Sequence, residues 1–406
     1  MSGRRDFILA TAIPIIILVV LVAVILVTRG RVPRYSISEL PDESAEFRVL
    51  PEGFSLAGFW DDRNSDGEGI YLACQTKLLE IFYCPEGEEG DERLLIYRSE
   101  LPVAAYQTFS VDNHMFLLET YTSAGGEMSF DIIRIGYGHD PGSVEKIFAD
   151  RCDRFPHLCV AALNDKQPFF MDTGAPVQLE ERVIVNYDHG GRSYLTLLNS
   201  CFGPGNVNTS IGVGDYEYLE GGNLAAGKRI MFCGGYGDYI YYQVVYSILL
   251  DPHTEVANFE SHGKPALYRY HIGDGTIENI WPMDKIALHV NANSKVALVS
   301  EYDYHVPLSD SGKIILLSDK SKRFAIPGIE SGSDIKESRF LSENRLVFYT
   351  PETLFFADLG KNLIYNYKLH GGESVHLRNV GVTLTKPGEG NTSSYQTMLF
   401  EDIFEE

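Results

Sequence analysis

Tyr239-Ile240-Tyr241-Tyr242-Gln243-Val244-Val245-Tyr246-Ser247-Ile248-Leu249-Leu250 is the stretch on which the fold turns. Its length suits either a three-turn helix or one long strand. Aromatic and β-branched side chains lose rotamer freedom against a preceding helical turn but sit well on a pleated surface. The run is therefore read as a strand, and it is too short for an ordinary helical membrane span. Gly234-Gly235-Tyr236-Gly237-Asp238 precedes it as a turn, with Lys228–Cys233 as the partner strand.

The same texture extends in both directions. Short β-prone runs include Met115–Tyr121, Phe130–Ile135, Arg182–Tyr187, Tyr194–Leu198, Arg345–Tyr349 and Thr353–Ala357. Turn-forming clusters separate them, among them Ser123-Ala124-Gly125-Gly126 and the hairpin connection Asp188-His189-Gly190-Gly191. No interval carries the apolar helical periodicity and caps that repeated βαβ crossovers need. The chain reads as all-β, with residues 385–394 as a loop. One sandwich would be overfilled by so many strands, whereas a radial array extends its core by repetition. At roughly 40–50 residues per blade, the expectation is a β-propeller of about six to eight blades over residues 45–406; tandem β-sandwich domains are the alternative.

Phe7–Thr28 is different in kind. It runs 22 residues without a charge. At about 1.5 Å per residue it reaches roughly 33 Å as a helix, enough for a hydrocarbon core of about 30 Å. Its length and the absence of an A-x-A-like site favour an uncleaved anchor over a signal peptide. The expected organisation is a short tail (1–6), a transmembrane helix (7–28), a juxtamembrane linker (29–44) and the propeller. In architecture the chain thus resembles a single-span membrane-anchored β-propeller protein, a resemblance that names no specific family. Arg4 and Arg5 before the span and Arg29, Arg31 and Arg34 after it leave orientation close to a tie. The large domain is placed on the extracytoplasmic side, with the N-terminus cytoplasmic.

The chain holds 34 basic and 56 acidic residues. Setting aside residues 1–34, with five arginines and Asp6, leaves 29 against 55, a net of −26. Such a body repels phosphate backbones and anionic lipid surfaces within the screening length, so nucleic acid is excluded as the expected partner. Six cysteines (74, 84, 152, 159, 201 and 233) allow 15 pairings. Local spacing nominates Cys74–Cys84 and Cys152–Cys159, with buried free thiols as the plainer reading. The sequons Asn208-Thr209-Ser210 and Asn391-Thr392-Ser393 point the same way, to an exported glycoprotein.

Asp62, Asn64 and Asp66, with Gly67 after them, offer alternating oxygen ligands for a structural Ca²⁺, but Ala73 stands where an EF-hand needs its bidentate glutamate. An acidic metal-free turn is the simpler reading. Asp303 and His305, two apart on a strand, would share a face and could form a carboxylate–imidazole pair. Residues 199–222 form a Gly/Asn-rich excursion ending in Asp215, Tyr216, Glu217 and Tyr218, a candidate surface for protein or sugar. No G-x-S-x-G, H-E-x-x-H, P-loop or dinucleotide fingerprint occurs. A membrane-anchored protein-binding or scaffolding role follows as the expectation. A membrane-tethered carbohydrate-active hydrolase, or a small-ligand-binding sensor, is the alternative, which three carboxylates converging at the propeller centre would favour.

Overall fold

The strand ladders close into seven blades, each of four antiparallel strands. The computed structural model describes residues 35–40, 47–62, 67–85, 93–111, 114–136, 144–162, 181–198, 209–214, 216–218, 225–236, 238–248, 266–282, 286–302, 313–317, 323–326, 335–377, 381–388 and 392–404. Two short strands, β1 (Ser36–Glu39) and β2 (Arg48–Val49), precede the first blade. Blade 1 comprises β3 (Ser55–Asp62), β4 (Gly67–Gln75), β5 (Leu79–Pro85) and β6 (Leu94–Arg98). Blade 2 comprises β7 (Ala105–Val111), β8 (His114–Thr122), β9 (Met128–Gly136) and β10 (Val144–Cys152). Blade 3 follows with β11 (His157–Ala162), β12 (Glu181–His189), β13 (Arg192–Leu198) and β14 (Thr209–Gly214). After β15 (Tyr216–Tyr218), blade 4 is built from β16 (Ala225–Tyr236), β17 (Tyr239–Ile248), β18 (Ala266–His271) and β19 (Ile277–Pro282). Blade 5 holds β20 (Ile286–Ala292), β21 (Val296–Tyr302), β22 (Lys313–Leu316) and β23 (Arg323–Ala325). Blade 6 holds β24 (Glu337–Phe340), β25 (Arg345–Tyr349), β26 (Thr353–Asp358) and β27 (Leu363–Lys368). The last blade has β28 (Ser374–Leu377), β29 (Gly381–Pro387) and β30 (Ser393–Leu399), followed by a short helix α1 (Phe400–Phe404).

The ring is closed by the chain's own beginning. β2 pairs antiparallel with β30, Arg48 opposite Tyr395, and supplies the outer strand of blade 7. Closure covers an edge that would otherwise offer unpaired backbone groups to other chains. It also seats Leu50 against Leu72 and Tyr395, joining blade 7 to blade 1.

Apolar clusters fill every gap between consecutive blades. Each middle strand therefore buries both faces. In β26, Leu354 and Phe356 face blade 7 while Phe355 and Ala357 face blade 5. β17 does the same: Ile240, Tyr242 and Val244 pack toward blade 3, and Tyr241 toward blade 5. That arrangement explains the unbroken apolar runs, because strands buried on both faces lose the alternation of a half-wet sheet. It also sets aside the tandem-sandwich alternative.

Local differences have local causes. Gly190 and Gly191 take φ of 59° and 77° between paired His189 and Arg192, the type I′ geometry that suits hairpin twist. The turn expected over 234–238 is narrower, because β16 runs on to Tyr236, opposite Tyr239, with a register shift between Phe232 and Gly235. Gly234 sits there at φ 113°, and a Cβ would collide with the Asn291 side chain and the Ala292 carbonyl of blade 5. Bulge and glycine together let two inner strands approach. The loop expected over 385–394 is shorter as well, since β29 runs to Pro387 and β30 starts at Ser393.

The linker expected over 29–44 is in part a strand. β1 lies parallel to β27, Ser36 opposite Leu363, as a fifth strand on blade 6. Residues 7–28 lie outside the described residues; among those described, no helix is long and apolar enough to cross a membrane. The expected Cys74–Cys84 bridge is not formed. Register places Cys74 opposite Glu80 and Cys84 opposite Ile70, several pairs apart along the same hairpin, and both thiols are free. Cys152 is likewise a free buried thiol, so it is not joined to Cys159.

Candidate interaction face

Strand direction defines two faces. Connections from the outer strand of one blade to the inner strand of the next, and from second to third strands, emerge on one side, here called the upper face. Turns from first to second and third to outer strands lie on the lower face. The upper connection between blades 2 and 3 is Asp153-Arg154-Phe155-Pro156. Pro156 holds Phe155 extended, and the Asp153 N–H donates to the Asp188 carbonyl at 2.8 Å. So pinned, Phe155 stands 51 % exposed. The connection between blades 1 and 2 presents Leu101 at 58 %. Lone exposed apolar residues are ordinary, but these two occupy successive connections on one face. The next connection leads into β15, which pairs with the start of β16, Tyr216 opposite Gly227 and Tyr218 opposite Ala225. The Tyr216–Tyr218 stretch thus belongs to the same upper face.

Charged groups support the connections from below. Asp188 is buried, with the Arg154 guanidinium 3.7 Å from its carboxylate. Burial pushes its carboxyl pKa up, while a hydrogen bond from Ser193 and the charge of Arg154 pull it back. His189, the next residue, points away toward Asp153 at 4.0 Å, too far for a hydrogen bond. Between blades 1 and 2, Glu119 is fully buried. Tyr97 of β6 donates to its Oε2 at 2.8 Å and Tyr121 donates to the same oxygen. Oε1 is buried without a partner among the described residues. Burial raises the Glu119 pKa, opposed by the two tyrosines, and both phenols are pushed up in turn, by burial first and by the carboxylate second. In the sequence, Glu119 is legible as the one charge inside the apolar run Met115–Tyr121.

At the axis, side chains satisfy the free edges of inner strands. Gln107 Nε2 donates to the Leu158 carbonyl at 3.1 Å while its Oε1 accepts the Leu158 N–H at 2.9 Å, clasping blade 2 to blade 3. Thr108 donates to Ala57 O at 2.6 Å, and Asn291 Nδ2 to Ser338 O at 2.7 Å. Blades 3 and 4 meet by backbone, Ala162 pairing with Tyr236. The Arg339 guanidinium of blade 6 lies 5.4 Å from the ring centroid of Phe109 of blade 2, across the channel. Among inner-strand side chains that are described, Glu337 alone is acidic.

The remaining sequence candidates are not brought together. Asp62 ends β3 opposite Gly67, and its side chain, like Asn64 and Asp66, is outside the described residues. Among the described residues no group of three His, Cys, Asp or Glu side chains could hold a metal ion. Asp303 and His305 also lie outside, just past the end of β21 at Tyr302, as does Asp215. Tyr216, Glu217 and Tyr218 make up β15, and their side chains lie outside the described residues.

No protein-family model matches the chain, and no curated protein does. Solved structures are similar in trace. The AfRom2 CNH domain shares 8 % identity at a TM-score of 0.42, covering 87 % of this chain and 99 % of that one. The β-propeller domain of the Trilobed protease from Pyrococcus furiosus shares 10 % at 0.47, covering 85 % and 95 %. A polysaccharide lyase of the ulvan lyase family shares 8 % at 0.47, covering 88 % and 99 %. At such values no function passes from them to this chain.

Proposed function

We propose that this chain is a membrane-anchored scaffold whose propeller binds a protein partner through its upper face over blades 1 to 4. The observation that carries the reading is the pair of exposed apolar side chains, Phe155 and Leu101, on neighbouring upper connections. Aromatic anchors ringed by polar groups are the usual centre of a protein interface. Here the Arg154–Asp188 pair and His189 supply polar groups beside Phe155. β15, the stretch Tyr216–Tyr218, extends the same surface toward blade 4. The phosphate-repelling charge of the body fits a protein partner better than a nucleic acid.

The test places a photo-crosslinking residue at position 155, 101 or 361 of the full-length chain in its native membrane. Positions 155 and 101 should trap the same polypeptide, and position 361 on the lower face should not. Phe155→Ser should abolish trapping from position 101 while leaving the fold intact by circular dichroism. Equal trapping from both faces, or capture unaffected by Phe155→Ser, refutes the proposal.

A further inference from the structure

Strand β1 enters the fold from the lower face. It runs parallel to β27, and Ser36 at its start pairs with Leu363, the first residue after the lower turn of blade 6. The Ser36 N–H donates to the Asn362 carbonyl at 3.0 Å and the Leu40 N–H to Asn366 O at 2.9 Å, so the ladder holds from end to end. Only residues 29–34 separate Thr28, the end of the 22-residue apolar segment, from Tyr35. Whatever their conformation, seven Cα-to-Cα steps reach at most about 25 Å.

We infer that β1 is an orientation clamp: it keeps the lower rim of blade 6 at the bilayer and turns the Phe155 face toward the aqueous space. The inference rests on the proposed membrane anchor. Two tilts keep Ser36 at the lipid, and both give the same answer. With the lower face toward the lipid, Phe155 is lifted by the height of a nine-residue strand such as β10, about 30 Å. With the rim of blade 6 toward the lipid, Phe155 lies beyond the widths of two blades, each about 15–20 Å at 4.8 Å per strand spacing. The contact of Arg339 with Phe109 shows that blades 6 and 2 oppose one another across the channel. The partner is therefore one approached from water, not a second protein lying beside the anchor in the same bilayer. Arg29, Arg31 and Arg34 in the tether suit the headgroup region, unlike the acidic body.

The experiment reconstitutes the full-length chain in vesicles and places a donor dye, through a genetically encoded residue, at position 362 or 155. Energy transfer to an acceptor on the lipid headgroups should be at least about twofold higher from 362, given the separation of about 25 Å or more. A Ser36→Pro/Ser38→Pro variant removes two N–H groups that alternate toward β27; with the propeller still folded, it should erase that difference. Equal or reversed transfer, or a difference that survives release of β1, overturns the clamp. Failure of the unlabelled chain to float with vesicles overturns the anchor itself and the clamp with it, a result separable from the others.

Discussion

Replacing Gln107 tests whether side-chain clasps at the channel hold the ring together. Both amide atoms of Gln107 engage the Leu158 backbone, at 2.9 and 3.1 Å, and Leu158 is buried. β12 pairs with the other edge of β11, so the N–H and C=O facing blade 2 take their partners from Gln107. Gln107→Met keeps the volume and removes both bonds. Each buried backbone group left unpaired costs about 1–3 kcal/mol. Gln107 is only partly buried, so entering water recovers some of this, and the net loss should be about 2–4 kcal/mol. With an m-value of at least about 3 kcal/mol per M of urea for a chain of this size, the unfolding midpoint should fall by up to about 1.3 M. Gln107→Glu sharpens the test. At neutral pH its carboxylate still accepts from the Leu158 N–H but opposes the carbonyl; protonated, it can donate and restore both bonds. The repulsion raises the folded-state pKa above the unfolded value near 4.3. The folded variant then binds the extra proton more tightly, so its deficit should shrink as pH falls through that folded pKa. A Gln107→Met stability within about 0.5 kcal/mol of wild type, the ordinary scatter of surface substitutions, would refute the reasoning. So would a Gln107→Glu deficit that ignores pH.

Glu119→Gln should change the pH profile of stability. The folded pKa of Glu119 is raised, so between the ordinary value near 4.5 and that folded pKa the folded state holds more protons than the unfolded chain. Stability contributed by this group is complete at low pH and is lost as pH rises through the window; thermal melts of the glutamine variant should lack that fall, and identical profiles would count against it. Asn293→Ala should cost about 2–4 kcal/mol, because its buried amide accepts from Lys295 and Val296 N–H and donates to the Ser342 and Glu343 carbonyls of the next blade; urea melts measure it. Gly234→Ala should destabilise by more than about 2 kcal/mol, since both the positive φ and the Asn291 and Ala292 contacts oppose a Cβ; wild-type stability would argue against the bulge.

The candidate face was legible only in pieces. Asp215, Tyr216, Glu217 and Tyr218 were visible as a tyrosine-rich excursion, because composition marks a loop. Phe155 gave no signal, since Arg-Phe-Pro between two strands looks like any connection until strand direction assigns it a side. Gln107 and Asn291 were equally silent: their partners lie 51 and 47 residues away in sequence.

By itself the sequence determined the strand content, the hairpin at Gly190-Gly191, the all-β class and the presence of a 22-residue apolar segment. These are local matters of rotamer freedom, turn chemistry and apolar length, each settled within at most 22 consecutive residues. Tertiary structure alone decided that there are seven blades, that Arg48–Val49 closes the last of them, and that Ser36–Glu39 rides on blade 6. A strand's partner is chosen by which edge and which apolar face remain open when the ring closes, and that depends on residues more than 300 positions distant.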